Sequence, residues 1–236
     1  MPIHIRAESD HYAPNVLCPG DPVRATYIAE TFFDDVKQVN IERGMHGYTG
    51  NFNGQPISVQ ATGMGCPSSG IVFEELIMLG ATRLMRVGTC GGLQDGMAMG
   101  DTVVGVSAST DDTTPLRYAA MDGYAPTATF DLAVRAADAS RAAGTTVHVG
   151  SIVTSGLFYD PDPNTFGRWK RLGHLGVEME ASMLYTIAAV KGVESLAIMT
   201  VSDLLGDDGS TERISDAELK AGVDQMMEIA CQVAVS

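Results

Sequence analysis

The chain has 236 residues, 45% hydrophobic and 19% charged, and its 15 Lys and Arg against 29 Asp and Glu give a net charge of −14 with His neutral. That apolar content excludes a disordered chain, and the length lets one α/β domain bury a substantial core. The acidity excludes a surface-wide footprint for nucleic acid, so any phosphate-bearing ligand needs a local cluster of cations.

A first strand is predicted over 16–18, running into Cys18-Pro19-Gly20-Asp21-Pro22-Val23-Arg24. Asp21 before Pro22 sets an acidic cap ahead of a proline at the first helical position, opening a helix through about Thr31. Gly20 lets backbone N–H groups approach an anion, the helix N-terminus adds about half a positive charge, and Arg24 reaches the same anion. An ordinary strand-to-helix turn with a surface arginine is the competing reading. A second strand covers 57–61, and Pro67-Ser68 opens a helix whose Ile71, Val72, Leu76 and Leu79 are expected on one side before Gly80 stops it.

The next strand, 84–87, carries Arg86, a charge that is costly there unless it is paired. Gly88-Thr89-Cys90-Gly91-Gly92 follows and is expected to form a turn offering backbone donors and a hydroxyl at the strand's carboxyl end, where open α/β sheets place ligands. A glycine-rich turn beside a structural ion pair stays open as the alternative. Strands over 102–107 and 146–152 flank a helix over 131–143 closed by Gly144. Val177-Glu178-Met179-Glu180 leads into a helix over 180–191 with Gly192 beyond it. These carboxylates suit adjacent sugar hydroxyls, and equally a helix N-terminus.

A strand over 195–201 delivers Thr200-Val201-Ser202-Asp203. Asp203 at its carboxyl end is a candidate general acid if burial raises its pKa, or a cap before Leu204-Leu205-Gly206. The last helix starts at Ser215 with a Ser215/Glu218 capping box and an apolar face of Leu219, Val223, Met226, Met227, Ala230 and Val233. The fold class is α/β, one domain over 1–236, built from βα units.

Neither glycine segment fits a P-loop, and no Gly-x-Gly-x-x-Gly joins the first strand and helix, so dinucleotide binding is disfavoured. Cysteines at 18, 66, 90 and 231 have no metal-ligand spacing and read as reduced thiols in a cytoplasmic protein. The first residues lack a signal-peptide order, and no apolar run approaches about 18 residues, so no membrane span is expected. Arg168-Trp169-Lys170-Arg171 reads as a solvated helix face, and His11 and His46 suggest no role.

Taken together the motifs resemble the hexameric bacterial type of purine nucleoside phosphorylase, within the wider nucleoside phosphorylase family. The likeness runs nearly end to end through Pro19-Gly20-Asp21-Pro22 with Arg24, Glu42-Arg43-Gly44-Met45, Gly63-Met64-Gly65-x-Pro67-Ser68 and Glu74-Glu75-Leu76. It continues through Arg86-Val87-Gly88-Thr89-Cys90-Gly91, Phe158-Tyr159, Val177-Glu178-Met179-Glu180 and Thr200-Val201-Ser202-Asp203.

The resemblance implies a twisted, partly barrel-like mixed sheet wrapped by helices, assembled as a trimer of dimers. It implies reversible phosphorolysis of purine nucleosides to free base and ribose 1-phosphate, with no metal or organic cofactor. Gly20, Arg24, Arg86 and Thr89 would hold phosphate, with Arg43 reaching in from a neighbouring subunit. Glu178, Met179 and Glu180 would bind the ribose and a neighbour's His4 its 5′-hydroxyl. Phe158 would pack on the base, and Asp203, beside Ser202, would protonate N7 with help from Arg213, although the loop between 203 and 213 is shorter than the family's. Uridine or methylthioadenosine phosphorylases of the same family, and a non-catalytic storage protein on the same fold, are the alternatives. The spacing from Phe158 to Glu180 lacks the glutamine-bearing insertion of the uridine branch.

Overall fold

A computed structural model describes residues 2–121, 123–206, 211–213 and 215–236, the side chains of 211–213, 216 and 218 excepted. The chain runs β1 (Asn15–Cys18), α1 (Pro22–Phe32), β2 (Asp34–Asn40), a 3-10 turn (Glu42–Gly44), β3 (Gly47–Phe52), β4 (Gln55–Gln60) and α2 (Cys66–Met78). It continues through β5 (Arg83–Gly92), β6 (Thr102–Thr110), α3 (Thr113–Ala119), α4 (Phe130–Ala142) and β7 (Val147–Thr154). The remainder is α5 (Thr165–Arg171), β8 (Gly176–Glu178), α6 (Ala181–Lys191), β9 (Glu194–Leu205), β10 (Thr211–Arg213) and α7 (Asp216–Ala234).

The ten strands among the described residues join one sheet in the order β10-β9-β6-β7-β8-β5-β1-β4-β3-β2, and a further pairing of β9 with β5 closes β5, β9, β6, β7 and β8 into a ring. The expected mixed, partly barrel-like sheet is therefore formed. Parallel pairs (β1–β5, β5–β9, β6–β7) sit beside antiparallel ones (β6–β9, β5–β8). Strands β5 and β9 alternate between two buried apolar layers. Met85, Val87, Leu196 and Ile198 pack with residues of α1, α4 and α7, while Leu84, Ala197, Met199 and Val201 pack with residues of α2 and α6. Such double coverage explains why both strands read as near-continuous apolar runs.

The helix ends obey local chemistry. Asp21 caps α1 by accepting from Val23 N at 2.8 Å, with Pro22 at the first helical position. Gly192 ends α6 in the left-handed region at φ 71°. Three expectations need correction. Residues 88–92 are strand, continuing β5, because β8 and β9 pair with them on either side. Ile71 is 44% exposed, whereas Val72, Leu76 and Leu79 are buried as expected, together with Ser69 and Phe73. Strands β2, β3, β8 and β10 and helices α3 and α5 were not anticipated. The Ser215/Glu218 capping box lies outside the described side chains. One irregularity bears on the site: the β5–β9 register shifts between Cys90 and Gly91, so that Cys90 pairs with Val201 but Gly91 with Asp203.

Candidate functional site

The buried charge at Arg86 is paired. Its Nε donates to Glu178 Oε2 at 2.6 Å and its Nη1 lies 2.8 Å from Glu180 Oε2. Burial by itself would lower the Arg86 pKa, but Glu180 and Glu178 outweigh it and keep the guanidinium charged. Glu178 is saturated: Thr154 Oγ1, Glu180 N and Ala181 N also donate to it, and its side chain is 0% exposed. It therefore orients Arg86 and caps the start of α6, and has no exposed oxygen for a sugar. Glu180 accepts Gly65 N at 2.6 Å. Burial raises the Glu180 carboxyl, Arg86 opposes this, and the Glu178 charge adds to the rise. Met179 follows the same turn, its carbonyl accepting from Cys66 Sγ at 3.6 Å.

Arg24 stands in the first turn of α1, beyond β1, the neighbour of β5. Among the described residues no carboxylate lies within ion-pair distance of it. Burial lowers its pKa, Asp21 pulls it up, and repulsion from Arg86 adds to the depression, so the two guanidinium groups share one electrostatic neighbourhood. Gly20 is packed tightly, since a Cβ there would meet Gly63 O at 3.2 Å. Gly63 and Gly65 adopt φ values of 71° and 83°, leaving Met64 82% exposed between them. Thr89 is half-buried on β5 opposite Thr200.

Asp203 is half-buried, its Oδ1 accepting Ser202 Oγ–H at 2.6 Å, and Ser202 Oγ also lies 3.3 Å from Cys90 O. A Cβ on Gly91 would stand 3.0 Å from Asp203 Oδ2, so the glycine leaves room for the carboxylate. Arg213 pairs with Asp203 through the β9–β10 backbone ladder. The expected role of its side chain lies outside the described residues. Phe158 is 71% exposed and packs edge-on against Tyr159 with ring centroids 5.0 Å apart. Its loop is anchored by Asp111, which accepts Ser155 Oγ–H at 3.0 Å and Gly156 N–H at 2.7 Å. A cavity of about 550 Å³ flanks this loop, lined by Leu157, Asp160, Arg168 and Trp169 among others, and includes none of the residues around Arg86.

His4 and Arg43 are not brought to this cluster. His4 bonds Glu75, ten residues along α2 from Gly65 and thus about 15 Å away at the helical rise. Arg43 is exposed, at φ 55° and ψ 20°, on a loop held by Asn40 Nδ2 and Gln60 Nε2, which both donate to Met45 O. His46 gains a structural place, bonding Thr26 Oγ1 of α1 at 3.0 Å.

Thr154 is a site residue that no sequence motif marks, while Gly65 and Gly88 stand in the quoted glycine motifs without the specific contacts found here. A Cβ at Gly88 would meet the Arg86 guanidinium at 3.0–3.4 Å. The signal for Gly88 was present in the glycine run, but that for Thr154 was not, since a lone threonine at a strand end is common. Among the described residues no three His, Cys, Asp or Glu side chains are grouped to hold a metal ion. None of their helices is long and apolar enough to cross a membrane.

A family model described as the phosphorylase superfamily matches residues 15–235. The chain belongs to the phosphorylase superfamily. Within that superfamily it is 46% identical over 239 residues to a protein of Exiguobacterium sp. named purine nucleoside phosphorylase DeoD-type, covering 100% of this chain and 98% of the relative. A protein of the same name from Yersinia enterocolitica is 46% identical over 231 residues, covering 97% and 94%. Another, from Caldanaerobacter subterraneus subsp. tengcongensis, is 45% identical over 236 residues, covering 99% and 100%.

Proposed function

We propose that the chain catalyses reversible phosphorolysis of purine nucleosides to free purine and ribose or deoxyribose 1-phosphate. The observation that carries the reading is the placing of Arg24, in the first turn of α1 just beyond β1, next to β5, whose Arg86 is held by Glu178 and Glu180. Two such cations are stabilised by a dianion between them, and the names of the full-length relatives agree with inorganic phosphate as that dianion.

In this reading Gly20, Arg24, Arg86 and Thr89 hold phosphate beneath the sugar, where its charge stabilises the developing oxocarbenium ion before attack on the anomeric carbon. Glu180, pinned by Arg86 and Gly65, directs its carboxylate to the ribose hydroxyls, and Met179 packs against the ring. Phe158 covers the base, and Asp203 gives a proton to N7 as the base leaves. The strand rise puts Arg86 and Gly91, the register partner of Asp203, about 16 Å apart along β5, room for phosphate, pentose and base in line. Phosphate is a co-substrate, and the chemistry calls for no cofactor. His4 and Arg43 complete the site of a neighbouring copy in a hexamer built as a trimer of dimers, and the enzyme works in the cytoplasm.

Phosphate-dependent release of hypoxanthine from inosine tests the activity, and parallel assays with adenosine, guanosine, uridine and methylthioadenosine set the base and 5′ preference. Asp203→Asn is expected to lower turnover of inosine by about 10²–10⁴-fold while the KM for phosphate stays near wild type. Survival of inosine turnover within a few-fold removes Asp203 as the acid.

A further inference from the structure

Glu75 lies on α2 and is 6% exposed, yet it is densely bonded. Its carboxylate accepts the backbone N–H groups of Ile3 at 3.0 Å, His4 at 2.8 Å and Ile5 at 2.7 Å, and stands 2.8 Å from His4 Nδ1. Burial would raise this carboxyl, but the hydrogen bonds from His4, Ile3 and Ile5 outweigh it and hold it below the usual range. An ionised carboxylate only accepts, so Nδ1 carries the ring proton, and a neutral His4 presents Nε2 as a bare acceptor. That atom has no hydrogen-bond partner among the described residues, and the side chain is 31% exposed.

We propose that Glu75 is a positioning residue that fixes the tautomer of His4, so that the site receiving His4 selects nucleosides whose 5′ substituent donates a hydrogen bond. The proposal deepens the reading above, resting on His4 reaching a neighbouring copy's ribose. A free 5′-hydroxyl donates to Nε2. A 5′-thioether or a 5′-deoxy carbon has no proton to give and leaves the ring nitrogen desolvated and unpaired, which is how a hydrogen-bonding site rejects an analogue.

The test compares kcat/KM for inosine and 5′-deoxyinosine in the full-length protein, its Glu75→Gln variant and its His4→Ala variant, together with imidazole nitrogen resonances of the labelled wild type and Glu75→Gln. Wild type is expected to show His4 protonated at Nδ1 and bare at Nε2. Glutamine at 75 keeps its oxygen on the His4 and Ile5 N–H groups that Oε2 accepts, which turns its NH2 to Nδ1, so the proton moves to Nε2 and the inosine preference falls about tenfold, the scale of one hydrogen bond. The KM for phosphate is expected to hold in that variant. A wild-type His4 protonated at Nε2 overturns the proposal, as does a Glu75→Gln preference within twofold of wild type when His4→Ala has lost it. A wild-type preference in His4→Ala removes the underlying reading of His4, a separate failure that takes the proposal with it.

Discussion

At Gly88 the missing side chain is as informative as the charge beside it. The Arg86 guanidinium lies over this glycine, where an alanine methyl would stand 3.0–3.4 Å from it. Gly88→Ala is expected to push the guanidinium aside and raise the KM for phosphate about tenfold, with little change in the denaturation midpoint, as steady-state kinetics and a urea titration would report. Thr154 tests the opposite role. Its hydroxyl donates to Glu178 and accepts Ser182 N–H at 2.9 Å, all of it buried. Thr154→Val strands both partners and is expected to cost about 1–3 kcal/mol of stability, visible in the same titration. Sequence reasoning reached Arg86 because a charge in an apolar strand demands a partner, and the partners, Glu178 and Glu180, were already in hand as a pair. What it could not supply was the pairing between them, since residues 92 positions apart meet only through the sheet.

At the level of elements, strong punctuation was legible and weak alternation was not. Asp21-Pro22 and Gly192 marked helix ends that the fold keeps. Gly192→Ala would place a Cβ in the left-handed region and is expected to lower stability by about 1 kcal/mol by the same titration. Strand β2, Asp-Asp-Val-Lys-Gln-Val-Asn, is an edge strand with mostly exposed residues, so its hydrophobic pattern says little. The run at 88–92 reads as a turn because glycine has poor strand propensity. It is held extended by neighbours that approach where side chains would be, as when a Cβ on Gly176 would stand 2.9 Å from Gly91 O. Arg43 is held at positive φ on an exposed loop, away from the Arg86 cluster of its own chain. Backbone strain of that kind, about 1–3 kcal/mol, persists where the surroundings enforce it.

For the molecule as a whole, stability follows proton uptake. His174 is 6% exposed, bonds Ser109 Oγ through Nε2 at 2.8 Å, and leaves its Nδ1 without a partner among the described residues. Burial lowers its pKa below the ordinary 6.5. The unfolded chain therefore takes the proton first, and the contribution of His174 is full above about pH 6.5 and is lost as pH falls toward its folded value. Denaturation midpoints measured across pH are expected to decline below 6.5, and less steeply in His174→Gln. Assembly carries its own prediction, because each copy bears a net charge of −14. Raising salt from about 10 to 150 mM shrinks the Debye length from about 30 to 8 Å, so sedimentation should find the proposed hexamer tighter at the higher salt.

The register shift beside Cys90 has a consequence for how this carboxylate is aimed. Val201 and Leu204 crowd the same side, both standing within 3.1 Å of a Cβ placed on Gly92, although three positions separate them where an unbroken strand would need two or four. Had the alternation kept its beat, Asp203 would follow Val201 into the oily layer beneath α2 and α6. One surplus residue instead turns the acid out beside Gly91. Its direction is thus a matter of counting rather than of composition, set by the one residue, Ser202, that β9 carries in excess of β5.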